Sequence, residues 1–320
     1  NGLAGFGANT TSYSSVAGPI LPATETLMQT KVFSSYTWAN LYVRCQTYNG
    51  LTTTVRSRVG AAYGNMSVTI TGSGVFQDTT NTDSLVSGNL IDLEFKDVGG
   101  AANTTFSLWG TTLQDTATNA IIQVACTQGF NNLFGAATYF MPIAGTAHGD
   151  DLATVEANVQ YTIRRATTYT NLRIWVPTNT LNSASTFRTR IDAANGAQSV
   201  SVGATTTGGF EDTTNSDAVS AASELNHTLV AGGTGAQVIR VSLAQLAHIS
   251  TGRETATSAI AGVAAGTDQY YGVEGNGTSS ATESDAQIAA RATFTANNLF
   301  VNVITHGLTG AAGVSYYIRQ

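Results

Sequence analysis

The chain repeats a frame of polar residues three times, and this repetition restricts its fold more than any other sequence feature. In each copy a Glu is followed four residues later by a Gln and, eleven residues after that, by an Asn-Leu pair. An aromatic residue five positions before a Gly precedes every copy. We therefore expect three units, at 1–118, 119–257 and 258–320. The frame residues are Glu25, Gln29 and Asn40; Glu156, Gln160 and Asn171; and Glu283, Gln287 and Asn298.

Apolar residues alternate with polar ones after the Asn of each copy, as in LYVRCQT at 41–47 and LRIWVPT at 172–178. A period of two is typical of strands that place one face on a core. The pattern predicts an all-β fold of tandem antiparallel β-sandwiches, with the jelly roll as the leading version. Short helices are expected at 150–159 and 243–248. The third copy stops at YYIR, 316–319, so we expect two complete repeats and a partial third.

The succession of motifs resembles a known group of repeats. It runs from aromatic-x4-Gly and Glu-x3-Gln through Asn-Leu and T-[VF]-R-x-R to G-x-F-x-D-T-T-N. This order is similar to the jelly-roll-like repeats of tailed-phage virion and appendage proteins and of uncharacterised bacterial surface proteins. The resemblance implies a role in assembly or display rather than a reaction.

The block FQDTTNTD at 76–83 recurs as FEDTTNSD at 210–217 and raises the question of a metal site. Its side-chain oxygens suit a hard cation such as Ca²⁺, although the spacing is not that of an EF-hand. We favour a turn in which the Asp and Asn side chains bond nearby backbone N–H groups, just after a core Phe. The candidate calcium ligands are Asp78, Asn81, Asp83, Asp212, Asn215 and Asp217.

The remaining reactive residues do not form a pattern that predicts an enzyme. The four histidines are isolated in the sequence, and His148 beside Asp150 and Asp151 is the best other metal candidate. The frame Glu recurs without a partner base, which favours a structural bond over acid catalysis. Arginines two apart share one strand face, where they pair with acids or line an interface. These arginines are Arg56 and Arg58, and Arg188 and Arg190.

The two cysteines leave two alternatives open. Cys45 stands where the other copies have Val176 and Val303, which predicts a small apolar side chain in the core. A disulfide between Cys45 and Cys126 requires that the first strand of the second unit dock on the first unit.

Composition narrows the range of partners. Charged residues make up 11% of the chain, the net charge is -6, and Lys31 and Lys96 are the two lysines. No basic stripe for nucleic acid and no apolar run long enough to span a bilayer is present in the sequence. A hydroxyl-rich, lysine-poor surface favours an extracellular or virion-surface location and contact with copies of the same chain.

The partial third unit predicts self-assembly. Half a sandwich leaves strand edges unpaired, so we expect a neighbouring copy to complete it near Tyr316, Tyr317, Ile318 and Arg319. Head-to-tail contacts that do not close into a ring build a filament, a tube or a lattice. The sequence thus predicts a structural, self-assembling protein, not an enzyme. The alternative is an adhesin or receptor-binding appendage that binds cell-surface glycans through Trp38, Trp109, Trp175, Tyr270 or Tyr271.

Overall fold

A computed structural model shows an all-β protein, as the sequence predicts. Its described part contains the 3-10 turns Glu25–Leu27 and Glu156–Asn158, a 3-10 residue at Glu283, and no α-helix. None of the helices there is long and apolar enough to cross a membrane. The structure describes residues 10–16, 22–48, 50–98, 104–115, 120–127, 132–147, 154–249, 258–260, 268–270, 275–277 and 314–318, and the single positions 281, 283, 287, 295, 296, 299 and 301.

The first sandwich is built from strands β1 to β8. One sheet has the order β1-β7-β4-β5, with β2 also paired to β7, and the other has the order β6-β3-β8. The strands are β1 (Thr11–Ser14), β2 (Thr30–Lys31), β3 (Tyr36–Thr47), β4 (Thr53–Val59), β5 (Ala62–Ile70), β6 (Gly74–Leu85), β7 (Leu90–Asp97) and β8 (Thr105–Asp115).

The second sandwich is built from strands β9 to β21. Its sheets have the orders β11-β19-β16-β17, with β13 on β19, and β12-β9-β21-β14-β18, while β10-β20-β15 form a small third sheet. The strands are β9 (Ala120–Thr127), β10 (Leu133–Phe134), β11 (Thr138–Met141), β12 (Gly145–Ala147), β13 (Tyr161–Thr162), β14 (Thr167–Val176), β15 (Thr178–Asn179), β16 (Ser185–Ile191), β17 (Ala194–Val202), β18 (Gly208–Val219), β19 (Glu224–Val230), β20 (Val238–Arg240) and β21 (Leu243–Ile249).

The long strands of the second sandwich pair in a nested order that defines a jelly roll. The outermost pair is β9 with β21, followed inward by β11 with β19, β14 with β18, and β16 with β17, all antiparallel. The first sandwich has the same inner pairs, β1 with β7, β3 with β6, and β4 with β5. Nested pairing of this kind folds one long hairpin into two facing sheets.

Alternation along the strands separates core from surface in both sandwiches. On β5 the side chains of Met66, Val68 and Ile70 are buried and those between them are exposed. On β17 the equivalent buried side chains are Gln198, Val200 and Val202. Each sandwich therefore closes over a core of its own.

Three sequence predictions about local structure need correction or stay open. The helix predicted at 150–159 is, in its described residues 154–159, only the 3-10 turn Glu156–Asn158. The segment 243–248 is not a helix but lies in β21, whose residues are buried on both faces, so the strand period of two is lost. The predicted unit boundaries near 118 and 257 fall at residues outside the described ranges or at their edge, and they stay predictions. Beyond the second sandwich, β22 (Ser258–Ile260) pairs in parallel with β23 (Gly275–Gly277).

Candidate assembly interface

The DTTN block lies inside a strand, so the predicted turn between strands is wrong. Ala39 of β3 pairs with Thr82 and Leu41 with Asp78, which leaves three residues of β6 opposite Asn40. Asn40 has a φ of 58°, in the left-handed region that Asn tolerates better than most residues. The DTTN block and the Asn-Leu motif therefore lie opposite each other and form one β-bulge between β3 and β6.

The second sandwich repeats this bulge. Thr170 of β14 pairs with Ser216 and Leu172 with Asp212, and Asn171 between them has a φ of 57°. Phe210 of β18 packs against the core of the second sandwich as predicted, and Phe76 of β6 packs against the core of the first sandwich.

The hydrogen bonds predicted for the block are present. Asp78 accepts hydrogen bonds from the backbone N–H groups of Thr80 and Asn81 at 3.2 and 3.0 Å, and from Ser67 N of β5 at 3.0 Å. Asp83 accepts from Asn65 N of β5 at 2.6 Å. Because β5 and β6 are the edge strands of facing sheets, these carboxylates satisfy N–H groups that a sheet neighbour would otherwise bind.

Asp212 and Asp217 do the same for β17. Asp212 accepts from Ser199 N at 2.9 Å, and Asp217 accepts from Ala197 N at 2.6 Å and Thr189 Oγ1 at 2.6 Å. The Asp carboxylates at each bulge thus accept hydrogen bonds from the protein itself. Within the described ranges, no group of three or more His, Cys, Asp or Glu side chains is placed to hold a metal. Calcium binding stays a prediction; His148, Asp150 and Asp151 lie outside the described residues.

The frame Glu forms the structural bond expected of it. Glu25 binds Arg58 through two parallel contacts, Oε1 to Nε at 2.9 Å and Oε2 to Nη2 at 3.1 Å. Glu156 binds Arg190 in the same way, at 2.8 and 3.0 Å. Forked pairs of this type fix geometry as well as charge, so each one anchors a 3-10 turn to its sandwich.

A docking segment, residues 24–31 of the first sandwich, lies on the second sandwich. At its centre Arg173 Nη1 donates to Gln29 O at 3.0 Å and to Gln245 Oε1 at 2.6 Å. Arg173 is 2% exposed, and its Nε lies 3.3 Å from Glu211 Oε1. Burial lowers the pKa of Arg173 and the Glu211 carboxylate opposes that shift, so the charge is held by its partners.

Further contacts extend this interface along the segment. The Gln245 amide accepts from Lys31 N and donates to Lys31 O, each at 3.1 Å, as a neighbouring strand would. Ser242 Oγ donates to Leu27 O at 3.1 Å, and Lys31 Nζ lies 2.6 Å from Glu211 at the rim.

Apolar side chains complete the contact between the sandwiches. Val124 of β9 and Leu243 of β21 are buried, and Val16, Ile122 and Trp175 pack against them. Ala120 and Ile122 also pack against the core of the first sandwich. The outer face of β14 is therefore covered.

The carbohydrate platform predicted from the tryptophans is not formed by Trp38, which is 0% exposed. Trp109 is partly buried, and its Nε1 donates to Ser14 Oγ at 3.1 Å. Trp175 belongs to the interface, and Tyr271 lies outside the described residues.

Cys45 is buried at 2% exposure and is a free thiol, so the core position predicted for it is confirmed. The structure therefore forms no disulfide between Cys45 and Cys126.

The predicted assembly residues near the end of the chain carry exposed apolar side chains. Tyr317 is 80% exposed, Ile318 is 44% exposed and nearby Val314 is 45% exposed. Residues 314–318 have no regular secondary structure, and Arg319 lies outside the described residues.

Sequence reasoning missed the two residues at the centre of the interface, Arg173 and Gln245. The repeated frame does contain a signal for Arg173. It is the second residue after Asn171 and lies between Leu172 and Ile174, which are buried on the core side, so the strand period places Arg173 on the outer face. Gln245 carries no such signal.

No protein-family model and no curated protein sequence matches the chain. Among solved structures, the chain is similar to the infectious bursal disease virus VP2 subviral particle, at 13% identity. The match covers 77% of this chain and 66% of that chain, with a TM-score of 0.23. A TM-score this low establishes no shared fold, so the jelly roll rests on the strand pairing described above.

Proposed function

We propose that the chain is a structural, non-enzymatic protein of a virion or another extracellular assembly, in which copies of the chain form a filament, tube or lattice. The observation that carries the proposal is the exposed apolar segment at residues 314–318, and the docking of one jelly-roll sandwich on the next through Arg173 and residues 24–31 supports it as an example of close packing between the units. Jelly rolls present outer sheet faces, and the outer face of β14 is covered here by the docking segment.

The contact between copies is proposed at residues 314–318. Tyr317 and Ile318 expose apolar surface there. Exposed apolar side chains that cluster on a short segment favour contact with a partner over solvation.

Electron microscopy and light scattering of the purified chain test the proposal. We expect particles, filaments or sheets that become larger with protein concentration. The double variant Tyr317→Ser with Ile318→Ser should shift the protein to single copies. Val86→Ser, at another exposed position with 60% exposure, should leave assembly unchanged. A wild-type chain that stays a single copy at high concentration contradicts the proposal.

A further inference from the structure

Two contacts of the chain are equivalent in the repeated frame, although they join different units. In the first, the Gln29 carbonyl accepts a hydrogen bond from Arg173, two residues beyond Asn171. In the second, the Gln287 carbonyl accepts a hydrogen bond at 3.3 Å from the hydroxyl of Tyr42, two residues beyond Asn40. The first contact joins the first sandwich to the second, and the other joins the third unit, residues 258–320, to the first sandwich.

The face that receives Gln287 is covered in the same way as the face that receives Gln29. On β14, Leu172, Arg173 and Ile174 are all buried, so both sides of the strand are covered. On β3, Leu41 and Val43 are 0% exposed and Tyr42 between them is 7% exposed. A phenol hydroxyl on a covered face needs a hydrogen-bonding partner, and the Gln287 carbonyl supplies it.

The second sandwich also contacts the third unit. The parallel pair β22 and β23 of the third unit lies beside β12 of the second sandwich. This pair matches the parallel pair of β9 and β12, and both β12 and β23 begin at the frame glycine, Gly145 or Gly275. In the preceding step, Val16 of the first sandwich packs on β9 of the second.

We infer that the three units close into a ring of approximate threefold symmetry within one chain. The first unit docks on the second, the second contacts the third, and the third docks back on the first. Head-to-tail contacts that return to their starting unit close a ring, whereas contacts that do not return build a filament. The partner of the Tyr42 face is thus the third unit of the same chain, so contacts between copies use the outside of the ring.

Photo-crosslinking tests this inference in the full chain. Tyr42 is replaced by p-benzoylphenylalanine, which keeps an aromatic ring at the site, and equal amounts of isotopically light and heavy protein are mixed before irradiation. We expect capture of a peptide containing Gln287, with light joined to light and heavy to heavy. The same probe at Gln287, an exposed position, should capture β3 and covers the case in which the Tyr42 variant does not fold.

Two control positions show how much crosslinking a known contact gives and how much arises without a specific contact. The probe at Lys31 should capture β18 near Glu211, because that contact is already present between the first two sandwiches. The probe at Tyr63, which is 55% exposed, gives the background of unspecific capture. Products that join light to heavy chains above that background would show that a second copy occupies the Tyr42 face, and would overturn the ring. Capture of the Gln287 peptide no better than background would overturn it too. The readout concerns one chain, so it stands or fails separately from the proposed assembly.

Discussion

Asp92 and Asn226 occupy equivalent places in the two sandwiches, opposite Arg58 and Arg190 in the sheet register. Asp92 is 0% exposed, and burial, followed by the nearby Glu25 carboxylate, raises the pKa of Asp92 to about 8, with Arg58 opposing. The Gln29 amide also favours the charged form, but neither carboxyl oxygen has a hydrogen bond of normal geometry. The sequence does not predict this cost, because Glu25, Gln29 and Arg58, which surround Asp92, come from distant segments.

We predict that Asp92→Asn stabilises the protein above neutral pH. An unfolded Asp loses its proton near its ordinary value of 3.8, whereas the folded one keeps it up to about pH 8. Wild-type stability therefore falls as pH rises between these values, and the variant escapes a loss on the order of 5 kcal/mol at pH 8. Thermal unfolding at pH 4 and pH 8 measures this difference. Asn226→Asp should show the opposite change, and an equal gain at both pH values would contradict the assignment.

The bulge shows what a sequence motif predicts at the scale of one element. The Asp-to-backbone hydrogen bonds could be inferred from DTTN, because Asp and Asn side chains readily bond nearby N–H groups. The continuation of the strand could not be inferred, since it depends on Asn40 taking a left-handed conformation on the partner strand. A run rich in Thr and Asn is indistinguishable from a turn until that partner is known.

We predict that the backbone at Asn40 decides the register of β3 and β6. Asn40→Gly should change the free energy of unfolding by about 0.5 kcal/mol or less, since Gly adopts positive φ without strain. Asn40→Val should cost about 2 kcal/mol, because a β-branched residue is disfavoured there. Urea denaturation measures both, and Asn171→Gly and Asn171→Val provide the matched pair. Equal losses for Gly and Val would show that the side chain, not the backbone, matters.

We also predict that Asp78 stabilises the edge of β5. Asp78→Ala leaves N–H groups of Ser67, Thr80 and Asn81 without their acceptor, which should cost roughly 2–4 kcal/mol. Thr79→Ala, at the exposed neighbouring position, should have little effect.

Burial raises the pKa of Asp78, but hydrogen bonds from Asn81, Ser67 and Thr80 outweigh it and lower the pKa to about 2. The contribution of Asp78 is therefore complete above its ordinary pKa of 3.8 and is lost as pH falls through about 2. A constant gap between variant and wild type down to pH 2 would contradict this.

At the scale of the whole molecule, the repeated frame predicts units but not how they meet. In the sequence, Arg173 has the pattern of an outward-facing polar residue in an alternating strand. It does point away from the core of the second sandwich. Its burial comes from the docking segment of the first sandwich, more than a hundred residues earlier in the chain. The sequence holds both partners, but only the arrangement of the sandwiches brings them together.

This interface should make the two sandwiches unfold together. Arg173→Met keeps the apolar stem but removes the charge that binds Gln29, Gln245 and Glu211, and loss of one partner of a buried pair typically costs about 3–5 kcal/mol. We expect one calorimetric transition for the wild type and two for the variant, because each sandwich has its own core. Lys31→Met removes the rim pair with Glu211, which is partly exposed, and should keep a single transition with a loss of about 1 kcal/mol or less. Two transitions in the wild type, or one unchanged transition in Arg173→Met, would show that Arg173 does not couple the sandwiches.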